Sequence, residues 1–189
     1  MAAVRGPLAV VLALLCVVAA FVVARTEPRE NEGFGPFVVR VELGEVGEGR
    51  GVRGAVDAVR FADVVTLDSW VGETRGVWLI VDARLGTTEN PSLGYATLQV
   101  GDRHWVSSNR PGRGSLDGAV FDPGLPMRGS FVFEVPADLA DDPAARSARI
   151  QLADDLDTRL ISVIEVELDL TQLERTAELE VPTAERTRW

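Results

Sequence analysis

The single histidine, His104, is followed by Trp105 and then by Ser107 and Ser108, so the residue types of a serine hydrolase fall within five positions. A nucleophile and its base must converge within hydrogen-bond reach, with a carboxylate orienting the imidazole. On an extended strand His104 and Ser108 share a face but stand about 13 Å apart. No G-x-S-x-G elbow supplies another nucleophile. The chain is therefore expected not to be an enzyme, and His104 reads as a hairpin residue. Carboxylates gather at Asp141-Asp142 and at Asp154-Asp155-Leu156-Asp157. Calcium takes six to eight oxygens, which two such loops brought together would partly supply. Neither has the spaced acids, central glycine and terminal glutamate of an EF-hand loop, and Asp-rich connections favour solvated turns by themselves. One histidine and no cysteine beyond the N-terminal run also disfavour transition metals. The glycines of GEVGEGRGVRG (44–54) lack a following Gly-Lys-Ser/Thr and sit between strands, which makes a turn rather than a phosphate cradle. No cofactor or metal is expected.

GDRHWVSSNRPGRGS (101–115) is different, because it concentrates Arg103, His104, Trp105, Arg110 and Arg113 in an otherwise acidic chain. Guanidinium beside an aromatic ring is the chemistry of anion, sugar or protein-surface recognition. These five residues form the candidate partner surface.

The elements that must position them are strands. GVWLIVDARL (76–85) alternates, with Val77, Leu79, Val81, Ala83 and Leu85 sharing one face and Trp78, Ile80, Asp82 and Arg84 the other. FVVRVELGEV (37–46) and AVDAVRFADVVTL (55–67) read as strands, the second with a bulge or bend near Ala62. YATLQV and RHWVSS flank Gly101-Asp102, the spacing and chemistry of a two-residue hairpin turn. SFVFEV puts Phe131, Phe133 and Val135 together. ARIQLA is short, and RLISVIEVELDL alternates Ile164, Val166, Leu168 and Leu170 against Glu165, Glu167 and Asp169. Seven or eight strands without an amphipathic helix predict an all-β, antiparallel sandwich over 37–170. Residues 171–189 are more polar, with a short helix, a return strand and a loose tail all open. Residues 26–36, TEPRENEGFGP, read as a linker.

Ahead of the linker, Leu8 to Ala24 are 17 uninterrupted apolar residues bracketed by Arg5 and Arg25. That is at the short end of a bilayer span and longer than a signal-peptide core. Residues 1–25 are read as one transmembrane signal-anchor, touching the membrane through 8–24, with a cytoplasmic N-terminus and an extracytoplasmic C-terminal domain. Cleavage after Ala20 or Ala24 is the alternative, though no polar stretch precedes either site. Lipid attachment at Cys16 is disfavoured by Leu15, which stands where a small residue is required, and by the apolar residues that follow. As the sole cysteine, Cys16 leaves the domain without an internal disulfide. All 29 acidic residues and 18 of the 19 arginines lie beyond Ala24, so that portion carries a formal charge of −11. This sign disfavours nucleic acid and anionic membrane surfaces as bulk partners.

The order GVWLIVDARL, LQVGDRHWVSS, PGLPMRGSFVFEVP and VIEVELDL resembles a loose family of actinobacterial and Gram-positive extracellular immunoglobulin-like sandwiches. These are commonly lipoproteins or anchored proteins and include small mycobacterial secreted antigens. The resemblance covers about 37–170 and implies an immunoglobulin-like fold and export, without a catalytic motif. Two departures stand out: Cys16 is badly placed for lipid, and the Cys, Trp, Cys core of antibody domains is missing. The expected function is a membrane-anchored, non-catalytic binding or accessory module for another envelope protein, such as a transport or cell-wall assembly. The alternative is a soluble secreted ligand-binding or antigen-like protein, and an envelope hydrolase ranks third.

Overall fold

The alternating stretch around Leu79 becomes the centre of a sheet in the computed structural model, which describes residues 5–26 and 34–189. Most of the linker expected at 26–36 lies outside the described residues. Two units are present, one up to Gly35 and one from Pro36 to Trp189.

The first unit contains α1 (Arg5–Thr26). Its described side chains, Val10 to Phe21, are exposed and apolar on all sides, without a polar stripe. Among the described residues no helix is long and apolar enough to cross a membrane.

The second unit begins with β1 (Phe37–Val41), β2 (Gly47–Glu48), β3 (Val52–Leu67) and β4 (Trp70–Thr87). There follow β5 (Ser92–Leu93), β6 (Tyr95–Val100), β7 (Arg103–Val106), β8 (Val120–Phe121) and β9 (Met127–Val135). The chain closes with β10 (Ala148–Ala153), β11 (Ser162–Leu168), β12 (Arg175–Glu180) and β13 (Glu185–Arg186). One sheet runs β1-β11-β10-β6-β7 and the other β12-β3-β4-β9-β13, with β2 beside β3 and a small β5-β8 pair apart. The result is a β-sandwich of mostly antiparallel sheets. Parallel pairs occur at two edges, β1 with β11 and β12 with β3.

The inner faces supply one core. Leu79, Val81 and Leu85 of β4, with Phe131 and Phe133 of β9, share a cluster with Leu98 of β6, Ile150 of β10 and Ile164 of β11. Removing each such side chain from water contributes roughly 1.5–3 kcal/mol, which substitutes for the missing disulfide. β3 carries register shifts between Val56 and Ala58 and between Ala62 and Val64. An extra residue reverses which side chains face inward. Hence Val52 and Val56 and then, past the first shift, Val59 and Phe61 point to the main core, whereas Val65 and Leu67 join a different cluster.

That second cluster lies on the opposite face of the β3-β4-β9 sheet. Trp78, Ile80 and Val132 are fully buried there with Ala62, Val65, Leu67 and Val181. Trp70 meets Trp78 edge-on at 5.5 Å, and the Trp78 indole N–H donates to the Gly72 carbonyl. Residues 171–189 provide part of the cover: β12 pairs with β3, Val181 donates its N–H to the Thr66 carbonyl, and β13 pairs with β9. The polar C-terminal stretch thus reaches both edges of this sheet as return strands.

Alternation on β11 is kept, but its outward carboxylates do not fare alike. Glu167 is exposed, whereas Glu165 is only 4% exposed. Arg40 on β1 and Gln151 on β10 stand opposite Glu165 in register. Arg40 Nε donates to it at 3.0 Å and Gln151 Nε2 at 2.7 Å. A carboxylate on a central strand is tolerated because both flanking strands supply donors.

Candidate functional site

Residues 107–119 connect β7 to β8 and are held along the side of β9. Ser107 donates its N–H to the Ala96 carbonyl, Ser108 to Val132 and Leu116 to Ser130. The Gly114 carbonyl accepts from the Ala184 N–H. Gly112 and Gly118 have φ of +67° and +66°, turns that a side chain would strain. A Cβ on Gly114 would stand 1.9 Å from Leu67 Cδ2, so the loop passes directly over the second cluster.

The five candidate surface residues occupy different settings around this loop. Gly101-Asp102 forms the expected turn between β6 and β7, and Gly101 has φ of +58°. Arg103 pairs with Asp142, which also accepts from the Ala144 N–H and starts a 3₁₀ turn. The Arg103 guanidinium lies 5.3 Å from the Trp105 ring centroid, so these two are brought together. Trp105 is half-buried against the main core, while His104, opposite Gln99, is exposed on the outer face. Arg110 is held elsewhere: it pairs with Glu134 at 3.1 Å, donates to the Glu73 carbonyl and stacks 5.1 Å from the Trp78 centroid. Its guanidinium covers the second cluster.

Among the described residues Arg113 is the candidate arginine that no acid neutralises. Twelve described arginines form ion pairs, and Arg113 is not among them. It lines a cavity of about 700 Å³ with Tyr95, Asn109, Asp117, Val120 and Met127. That volume lies in the range of small-molecule sites. Asp117 is half-buried, and this burial pushes its carboxyl above the ordinary aspartate value, opposed by the hydroxyl of Ser107, which donates to it. Neither Tyr95 nor Asp117 enters the candidate set from sequence, because neither lies within the Arg-rich stretch.

The hydrolase arrangement does not assemble among the described residues. The Ser107 hydroxyl is engaged by Asp117, and no hydrogen bond joins His104 to either serine. The acidic stretches are likewise occupied locally. Arg159 grips Asp157 and, by its side-chain and backbone donors, holds it down to about 2, while Asp155 accepts from the Asp157 N–H. Asp154 is pushed up chiefly by burial, with Asp155 and Glu89 adding to the shift and a backbone hydrogen bond opposing it. Among the described residues no group of three or more His, Cys, Asp and Glu is placed to hold a metal ion.

Fold and site together define a β-sandwich protein with an N-terminal apolar helix. No family model and no curated protein matches the chain. Among solved structures it is similar to an uncharacterized β-sandwich protein from Clostridium difficile 630, 12% identical, covering 75% of this chain and 99% of that one at a TM-score of 0.49. It is also similar to the yjhA protein from Bacillus subtilis, 14% identical, covering 68% of this chain and 99% of that one at a TM-score of 0.46.

Proposed function

We propose that this chain is a membrane-anchored, extracytoplasmic, non-catalytic binding module whose immunoglobulin-like sandwich serves another envelope protein. The observation that carries the reading is the run of 17 apolar residues, Leu8 to Ala24, between Arg5 and Arg25. A helix that is apolar all round needs an apolar surrounding, and flanking arginines can extend their heads to both interfaces. The sandwich unit holds its core by apolar contacts alone, since the sole cysteine, Cys16, lies in α1. The partner surface is assigned to Arg103, His104 and Trp105 on β7 and to Arg110 and Arg113 on the following loop, which stand in separate settings.

The test is an accessibility measurement in living cells. Cys16 is replaced by Ser and a cysteine is introduced at Asp68, exposed in the β3-β4 turn. A membrane-impermeant maleimide is expected to label this variant in intact cells. Labelling only after lysis would contradict an extracytoplasmic domain. Crosslinking in the same cells is expected to give one reproducible envelope partner, lost on Arg103→Ala with Arg113→Ala. Unchanged crosslinking in that double variant would reject the assigned surface.

A further inference from the structure

We propose that the open cavity lined by Tyr95, Arg113, Asp117, Val120 and Met127 binds an amino-acid-type zwitterion, with the ligand carboxylate on Arg113 and its ammonium on Asp117. This goes beyond the anchored-module reading; the two share Arg113, and Asp117, which belongs to the cavity alone, separates their tests. Four observations carry the assignment. Arg113 and Asp117 line the same cavity of about 700 Å³, yet among the described residues they form no ion pair with each other. Opposite charges that line one cavity without pairing fit a ligand that carries both charges. Among the described residues Arg113 pairs with no acid, so its planar fork of donors is available for a carboxylate. Asp117 uses one oxygen, Oδ1, to accept from Ser107, which leaves Oδ2 for an ammonium.

The remaining wall suits an uncharged middle. The Tyr95 ring, Val120 and Met127 are apolar surface, and the side chains of Tyr95 and Asn109 make no hydrogen bond among the described residues, which leaves both for polar atoms of a ligand. Charge decides against the simpler ligands. A plain anion would meet both Asp117 and a domain that carries a net charge of −11 beyond Ala24. A plain cation would meet Arg113. A zwitterion meets each charge with its opposite and is neutral overall. Gly112 and Gly118, with open space where a Cβ would stand, leave the rim unobstructed.

A free amino acid and a short peptide share this chemistry, and the test separates them. The full chain in detergent micelles is titrated calorimetrically with L-leucine and with the dipeptide Leu-Leu. At least one is expected to bind, and the one that binds identifies the source. Converting its carboxylate to the amide, or acetylating its amine, is expected to weaken binding about tenfold or more, the scale of a charge-assisted hydrogen bond. Arg113→Gln should abolish the difference between acid and amide, and Asp117→Asn the difference between free and acetylated amine. Unchanged circular dichroism of both variants excludes misfolding as the cause. Absence of heat with both probes, equal binding of the capped forms, or variants that weaken capped and uncapped probes equally would overturn the proposal.

Discussion

Val181 offers a sharp test of how the C-terminal stretch is integrated. It is 1% exposed, shares a cluster with Trp78, Ile80 and Val132, and donates its N–H to the Thr66 carbonyl at 2.8 Å. Val181→Ala removes two buried carbon groups, worth about 1.6 kcal/mol of transfer, and leaves a small cavity that raises the total to about 2 kcal/mol. For a domain of this size that corresponds to a drop in Tm of about 4–8 °C. Val181→Asp places a carboxylate among indole and aliphatic groups without a partner, and its cost should exceed 3 kcal/mol. The assay is thermal and urea unfolding followed by tryptophan fluorescence, because Trp70 and Trp78 report on this cluster directly. Glu180→Ala, at an exposed neighbouring position, is the control and should stay within about 0.5 kcal/mol of the parent. Equal midpoints for Val181→Asp and the control would refute docking of residues 175–186 onto the sheet.

Other consequences follow from single contacts. Glu165→Ala leaves the donors of Gln151 and Arg40 without their acceptor and should cost about 1–3 kcal/mol in urea unfolding, with Gln151 carrying more of the loss because the Arg40 side chain is 76% exposed. Gly76→Ala should destabilise by about 1–3 kcal/mol, since its Cβ would lie 2.1 Å from the Val135 carbonyl oxygen, against backbone that cannot yield. The raised carboxyl of Asp117 gives a pH signature: the native state holds this proton more tightly than the unfolded chain, so its contribution to stability falls as pH rises from the ordinary aspartate value through the raised one. Asp117→Asn should therefore gain relative to the parent between pH 4 and pH 7 in parallel melts, and a constant difference across that range would contradict the burial argument.

Local signals carried much of the architecture. Val77, Leu79, Val81, Ala83 and Leu85 sit on the central strand with their shared face inward, and Gly101-Asp102 makes the hairpin turn. The irregularity near Ala62 falls at a real register shift, while the one near Val56 has no comparable mark in the sequence. What escaped local reading was set by distant partners. Trp78 and Ile80 alternate with the core residues and would face water on a two-layer sandwich, but Val181, some hundred positions away, covers their side of the sheet. Glu165 reads as one of three outward acids, and only the arrival of Arg40 and Gln151 on the flanking strands makes its burial tolerable. The Arg-rich stretch was visible as composition, yet composition could not tell which arginine would remain unpaired. Asp142, Glu134 and Trp78 engage Arg103 and Arg110, so Arg113 is left to face the cavity.

The central claim is retention of the N-terminal segment in a membrane, and the most direct measurement is the intact mass of the chain recovered from carbonate-washed cell membranes. A membrane-held species that still contains the whole run from Leu8 to Ala24 is expected. A carbonate-soluble mature chain beginning at Phe21 or Arg25 would contradict it.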